Sequence, residues 1–234
     1  MVHDMLELFS LREKEIFDTL KQLEGMDFVV IGGYSVNVYT LPRFSVDCDL
    51  VVRDKGELAK IESLLKQLGY VKEDHTKLNL PYHKNFVRYE KTIKKDFEVS
   101  FDILIGEVMD RRTGASFSAD WIFSHSSKRM LRGKTIVGQI EINVPAPDAI
   151  VAMKWVSCRI NDIRDIFMLM IEVKDTKTLK EEISKRTNFS EAFKRIKEQI
   201  TSEKFRNSLQ GVFGYLDENV FEKHKKAILE FGDT

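Results

Sequence analysis

Two aspartates, one residue apart, interrupt an apolar segment of this chain, and they restrict its fold more than any other feature. Asp47 and Asp49 lie in SVDCDLVV, which otherwise has the composition of a β-strand, although acidic residues are poor strand formers. Residues two apart in a strand point to the same side, so Val46, Cys48 and Leu50 are predicted to face a core instead. The two carboxylates repel each other at that spacing. A divalent cation that prefers oxygen ligands, Mg²⁺ or Mn²⁺, is the simplest partner for such a pair.

A third carboxylate and a glycine turn extend this pattern. Asp102 interrupts a second apolar strand, FEVSFDIL, with Phe101 and Ile103 on the opposite face. Gly32 and Gly33 follow the apolar run DFVVI and precede a short helix, so the backbone there is able to approach a triphosphate closely. Three aspartates that hold two metal ions align an attacking hydroxyl with a leaving pyrophosphate. We therefore predict that the two aspartate-bearing strands are neighbours and that their carboxylates converge within about 4–8 Å.

The periodicity of the chain predicts an α/β (α+β) fold with a mixed sheet, followed by a C-terminal helical bundle. The prolines Pro145 and Pro147 mark the predicted boundary, which divides the chain into residues 1–146 and 147–234. Before that boundary the predicted helices are Met5–Glu24, Tyr34–Leu41 and Gly56–Leu68, and the predicted strands are DFVVIGG, Ser45–Val52, a hairpin of NFVRYEKTI with DFEVSFDILIG, and TIVGQIEINV. After it the predicted helices are Asp148–Val173, Lys177–Lys185, Ser190–Leu209 and Glu218–Phe231.

Composition excludes several classes of protein. The 37 basic and 37 acidic residues give a formal net charge of zero, so no global field draws the chain to nucleic acid or membrane. Two cysteines are too few for a disulfide framework. No run approaches the roughly 18 apolar residues of a membrane helix, and the N-terminus lacks the order of charges and apolar residues typical of a signal peptide. We expect a cytoplasmic protein without a membrane partner.

Residues 28–170 resemble the nucleotidyltransferase superfamily that includes DNA polymerase beta. The superfamily pattern is a hydrophobic residue, Gly, then Gly or Ser, a spacer, and Asp–hydrophobic–Asp–hydrophobic. Here Ile31–Gly33 is followed by thirteen residues and then by Asp47–Leu50. Asp102 matches the third carboxylate of the superfamily, which lies on a separate strand. Within the superfamily, GGYSVNVY…RFSVDCDL and VPAPDAIVAMKW…NDIRDIFMLM look most like the AbiEii-like toxin group.

The resemblance implies a nucleotidyltransferase catalytic domain over residues 1–146 and a helical domain over residues 147–234. It implies transfer of a nucleoside monophosphate from an NTP to a hydroxyl acceptor, with release of pyrophosphate. Asp47 and Asp49 are then expected to bind both metal ions, and Asp102 to bind one ion and to help deprotonate the acceptor. Lys154 is carried over as a phosphate contact and Asp165 as its conformational or catalytic partner.

Some residues near this pattern have two interpretations. Arg43 and Ser45 precede the aspartates closely enough to contact phosphates, but Ser45 is equally well explained as a turn cap. Lys154 stands in an otherwise apolar helix, so it either extends to water or points into the site. The basic run of Lys128, Arg129, Arg132 and Lys134 either follows an RNA backbone or forms a solvated loop face.

Three functions stay open at this stage. The AbiEii-like resemblance implies a toxin-type enzyme that acts on RNA, with tRNA as one candidate, and that is controlled by an antitoxin. The second function is transfer to a small hydroxylated molecule, as in antibiotic nucleotidyltransferases. The third is a binding module that keeps the nucleotide pocket but lacks turnover. An RNA enzyme needs a continuous basic surface leading to Asp102, and metal-dependent NTP turnover separates both enzymes from the binding module.

Overall fold

The main feature of the fold is a mixed five-stranded β-sheet with helices on both faces. A computed structural model describes residues 2–73, 85–95 and 97–233. The helices are α1 (Val2–Gln22), α2 (Gly32–Asn37), α3 (Lys55–Gln67), α4 (Ala119–Ser124), α5 (Pro147–Ser157), α6 (Ile160–Leu169), α7 (Thr176–Ser184), α8 (Phe189–Ile200), α9 (Glu203–Phe213) and α10 (Glu218–Asp233). The strands are β1 (Val29–Ile31), β2 (Asp47–Val52), β3 (Val71–Lys72), β4 (Phe86–Lys94), β5 (Phe97–Ile105), β6 (Glu107–Met109), β7 (Ser116–Ser118), β8 (Ser126–Arg132) and β9 (Gln139–Pro145).

The main sheet has the strand order β1-β2-β5-β4-β3. Strand β2 runs parallel to β5, whereas the other neighbouring pairs are antiparallel. The hairpins β6–β7 and β8–β9 form two further small sheets. The predicted mixed sheet, the β4–β5 hairpin and the helical C-terminal half are therefore confirmed.

The two faces of the main sheet belong to different buried clusters. On one face, Cys48 and Leu50 of β2 pack with Phe101 and Ile103 of β5 against α1 and α3. On the other face, β1 and β2 pack against α5 and the later helices, where Trp155 is fully buried. Side chains alternate along a strand, so burial of Cys48 and Leu50 directs the aspartates beside them to the second face.

The structure corrects some predictions in the first half of the chain. Val46 is 63% exposed rather than in the core, because β2 begins only at Asp47. The strand predicted as TIVGQIEINV begins later, at Gln139, and residues 133–138 form the bends that precede it. Strand β8 was not predicted, and the basic run from Lys128 to Arg132 lies on this strand rather than on a loop.

Two helices predicted as continuous are broken. Helix α5 ends at Ser157, the next residue, Cys158, has a left-handed φ of 44°, and α6 starts after Arg159. Helix α8 ends at Ile200, and the Ser202 side chain accepts a hydrogen bond from the Phe205 N–H to begin α9. A serine N-cap of this type satisfies a backbone donor that would otherwise lack a partner.

Pro145 ends β9 and Pro147 begins α5, as the sequence suggests for a boundary. One buried cluster nevertheless combines Val29 and Val51 of the sheet with the helices after Pro147. The division into residues 1–146 and 147–234 stays a prediction. Among the described residues, no helix is both long and apolar enough to cross a membrane.

Candidate active site

Three aspartates converge where β2 and β5 lie side by side. Asp49 pairs directly with Asp102 across the two strands, and Asp47 lies two residues earlier on the same face of β2. Carboxylate oxygens of all three lie within 4.8 Å of one another. The predicted convergence of the two strands and three carboxylates is confirmed.

Neighbouring cations do not fully balance the negative charge of the three carboxylates. Burial, followed by the charges of Asp47 and Asp102, raises the pKa of Asp49 to about 8. Burial and Asp102 also raise the pKa of Asp47. Mutually repelling carboxylates with raised pKa values are typical of a cation site or of acid–base chemistry.

The glycine turn lies directly against this cluster. Gly32 has a φ of +65°, which favours glycine, and a Cβ placed on it would lie 1.9 Å from Oδ2 of Asp49. A Cβ on Gly33 would lie 2.4 Å from Oγ of Ser45. The hydroxyl of Ser35 donates to the Gly32 carbonyl and helps to fix the turn. Because both glycines lack side chains, Asp49 and Ser45 are able to lie directly against the backbone of the turn.

Lys154 points into the site from α5. Its Nζ lies 2.7 Å from Oδ2 of Asp165 and 3.1 Å from Oδ1 of Asp162, and only 12% of its side chain is exposed. Burial alone would lower the pKa of Lys154, but the charges of Asp165 and Asp162 outweigh it and raise the pKa. The alternative in which this lysine extends to bulk water is wrong. Its role as a phosphate contact stays a prediction.

Arg43 connects the loop before β2 with α6. Its Nε and Nη2 donate to the two oxygens of Asp165, at 3.1 and 2.9 Å. Asn37, which was not predicted, holds the Arg43 backbone by donating to its carbonyl and accepting from its N–H. Burial would raise the pKa of Asp165, but Lys154 and Arg43 outweigh burial and lower it. Asp165 therefore stays ionised and orients two cations at once.

Arg88 on β4 is the most important site residue that the sequence analysis missed. It lies opposite Asp102 on β5, and its Nε and Nη2 donate to both Asp102 oxygens at 2.6 Å. Alternation along NFVRYEKTI places Arg88 on the cleft side, opposite in direction to buried Val87 and Tyr89. The sequence therefore carried enough information to predict the direction of the Arg88 side chain. The pairing with Asp102 depends on an irregularity in the hairpin register, between Thr92 and Lys94.

All predicted site residues line a single cleft of about 1110 Å³ between the sheet and the helices. The cleft also contains further charged residues from both halves, namely Arg88, Glu107, Asp110, Arg111, Arg159, Asp162 and Arg164. Arg159, at the start of α6, reaches Asp110 after β6 with a separation of 3.3 Å. This ion pair, like the one between Arg43 and Asp165, connects one side of the cleft to the other.

Comparisons with known proteins point in one direction. The family model described as nucleotidyl transferase AbiEii toxin, type IV TA system, matches residues 17–231 and so includes every site residue above. No curated protein matches the chain significantly.

Among solved structures, the similarities are distant. An antigenic nucleotidyltransferase-like protein from Paracoccidioides brasiliensis is 16% identical, with a TM-score of 0.47 and coverage of 92% of this chain and 93% of that chain. A candidate nucleotidyltransferase from H. pylori is 18% identical, with a TM-score of 0.44 and coverage of 95% and 90%. The lincosamide antibiotic adenylyltransferase LnuA, solved with lincomycin, is 18% identical, with a TM-score of 0.39 and coverage of 59% and 82%.

Proposed function

This chain belongs to the AbiEii family of nucleotidyl transferase toxins, and from that premise we propose that it transfers a nucleoside monophosphate from an NTP to a hydroxyl acceptor with Mg²⁺ or Mn²⁺. The observation that carries the proposal is the convergence of Asp47, Asp49 and Asp102 within 4.8 Å. It is supported by the glycine turn against Asp49 and by the cationic residues of the same cleft.

The donor set fits the proposed metal. Three carboxylates offer only oxygen ligands, which Mg²⁺ and Mn²⁺ prefer. The raised pKa values of Asp47 and Asp49 reflect burial and mutual repulsion, and a bound cation relieves the repulsion. When bound between Asp47, Asp49 and Asp102, such ions neutralise charge on the phosphates and orient them for displacement.

The other steps of the proposed reaction are assigned to residues of the cleft. In the proposed reaction, the acceptor oxygen forms a bond to the α-phosphorus while the bond to the β-phosphate oxygen breaks, and pyrophosphate leaves. The acceptor proton passes to Asp102, the general base of this scheme. Gly32 and Gly33 allow the phosphates to approach the backbone, and Arg43 with Ser45 and Lys154 supplies donors for phosphate oxygens.

We further propose that the acceptor is RNA, with tRNA as one candidate, in a toxin–antitoxin setting located in the cytoplasm. The family description supports an antitoxin as a partner of the system. The arginines at the cleft, such as Arg111 and Arg159, favour an acceptor that carries phosphates. The basic run of β8 does not contribute to the described cleft lining. A small hydroxylated acceptor stays the alternative.

The test is an acceptor screen with each of the four α-labelled NTPs. The protein is incubated with Mg²⁺ and either total RNA or a panel of small hydroxylated compounds, and Asp49→Asn is the matched control. The proposal predicts labelled RNA bands with the wild type only. Label on a small compound alone would identify the alternative acceptor class. Binding of NTP without transfer to either acceptor would instead identify an inactive nucleotide-binding module.

A further inference from the structure

Four charged residues form a row across the sheet, at the level of the three aspartates. Asp49 pairs with Asp102, and Asp102 pairs with Arg88. Glu73 follows in the next position, where its N–H donates to the Arg88 carbonyl. Arg88 is therefore the one cation of this row, between the carboxyl groups of Asp102 and Glu73, and Asp49 lies beyond Asp102.

Arg88 is held mainly by Asp102. Both Asp102 oxygens accept from the guanidinium at 2.6 Å, and 9% of the Asp102 side chain is exposed. Nε of Arg88 lies 3.9 Å from Oε2 of Glu73, so a second carboxylate is already close. A fork of two charge-assisted hydrogen bonds is the strongest contact that arginine makes with a carboxylate.

The position of Arg88 conflicts with metal binding to Asp102. A guanidinium on both oxygens of Asp102 lies only a few ångströms from any cation that the three aspartates hold. Like charges at that separation repel strongly at a partly buried site. Arg88 also occupies one acceptor direction on each oxygen of the carboxylate.

From this row we infer that Arg88 is a resident counter-cation with two positions, one on Asp102 and one on Glu73. It neutralises Asp102 while the aspartate cluster holds no metal, and it moves to Glu73 when a divalent cation binds. This inference rests on the metal site of the proposed function. Arg88 is then a positioning residue that sets the metal concentration at which the site fills, because the ion that Asp102 ligates must first displace the guanidinium.

Substitutions of Arg88 and of Glu73 are expected to change the affinity for Mn²⁺ in opposite directions. Arg88→Gln removes the competing charge, and we expect it to tighten Mn²⁺ binding about tenfold or more. Glu73→Gln removes the second position, so Arg88 stays on Asp102 and Mn²⁺ binding weakens by about threefold or more. Arg53→Gln is the matched control, because Arg53 pairs with Asp27 outside the cleft. This control should leave the affinity unchanged.

Mn²⁺ binding is measured by electron paramagnetic resonance on the full chain without nucleotide, with circular dichroism as the check on folding. Unchanged or weaker binding in Arg88→Gln would overturn the inference and leave Arg88 as a support for Asp102. If Arg88→Gln does not fold, Arg88→Lys decides the matter. Lysine keeps the charge but cannot form the fork, so binding should tighten by about threefold, and unchanged binding would overturn the inference.

Asp49→Asn separates this inference from the proposed function. If Asp49→Asn binds Mn²⁺ as the wild type does, the aspartate cluster is not the metal site and the proposed function fails. If Asp49→Asn loses Mn²⁺ while Arg88→Gln fails to tighten it, the metal site stands and only the role of Arg88 is rejected.

Discussion

Gly32 and Asp49 are in such close contact that a Cβ on the glycine would lie 1.9 Å from the Asp49 carboxylate. The contact explains why a glycine is needed at this turn, beyond its positive φ. It also connects the glycine turn, which is proposed to contact the phosphates, to the proposed metal site, since neither residue can shift without moving the other.

Gly32→Ala is therefore expected to reduce NMP transfer by about 100-fold, because displacement of a reacting group by about 1 Å has an effect of that size. The positive φ adds a loss of stability of about 1–3 kcal/mol. Gly25→Ala is the matched control, since Gly25 has a φ of +88° but no neighbour within 4 Å of an added Cβ. Thermal unfolding should show a similar loss of stability from the positive φ in both variants. Steady-state kinetics should show a loss of transfer only in Gly32→Ala.

The raised pKa of Asp49 predicts how stability without metal depends on pH. The folded pKa of about 8 exceeds the ordinary value of 3.8, so the folded state holds an extra proton between these values. Stability without metal should therefore fall as the pH rises from about 4 to 8. Asp49→Asn removes this penalty and should be more stable than the wild type at pH 8 by at least about 1.4 kcal/mol, the equivalent of one pKa unit.

Chemical denaturation in EDTA at pH 5 and pH 8 measures this effect. The advantage of Asp49→Asn should be larger at pH 8, and excess Mg²⁺ should stabilise the wild type but not the variant. A variant that is less stable than the wild type at both pH values would mean that Asp49 has a structural role.

Lys154 has a greater structural role than its place in the sequence indicates. Lys154→Ala is expected to reduce transfer tenfold or more, equivalent to about 1.4 kcal/mol. It should also lower stability by about 1–3 kcal/mol, because Asp162 and buried Asp165 lose a charged donor. Lys154→Arg keeps the charge and should recover most of the stability, and a wild-type KM for NTP in Lys154→Ala would rule out a phosphate contact.

The lowered pKa of Asp165 makes the stability of the fold depend on pH with the opposite sign. Its ionised form stabilises the fold above the ordinary carboxyl pKa, and this contribution is lost as the pH falls through the lowered folded value. Asp165→Asn should cost about 3 kcal/mol at pH 7, and the difference from the wild type should narrow below pH 4. Asp27→Asn, which breaks an exposed pair with Arg53, should change the free energy of unfolding by less than about 1 kcal/mol.

Much of this site follows from local sequence patterns. Asp47, Asp49 and Asp102 each interrupt an apolar strand, and a period of two assigns them to the face opposite the core. Gly32 and Gly33 come directly after a strand and begin helix α2, where close approach of the backbone requires residues without side chains. These features depend on neighbouring residues, so the sequence is sufficient to predict them.

Contacts that depend on strand register or on interruptions of a helix could not be predicted from local sequence patterns. Extended from its turn without an irregularity, the β4–β5 hairpin would place Tyr89 opposite Asp102, but the shift between Thr92 and Lys94 places Arg88 there. Cys158 has a left-handed backbone without being a glycine, so the break that positions Asp162 and Asp165 has no clear signal in the sequence. Both effects arise from tertiary packing rather than from local propensity.

The most direct test of nucleotidyl transfer compares the fate of two phosphate labels in parallel reactions. Wild-type protein with Mg²⁺ and the proposed RNA acceptor is given NTP labelled at either the α- or the γ-phosphate, and Asp102→Asn is the control. The account predicts that α-label appears on the RNA, that γ-label appears only in pyrophosphate, and that EDTA or Asp102→Asn abolishes both. Transfer of γ-label to the RNA, or undiminished α-label transfer by Asp102→Asn, would contradict it.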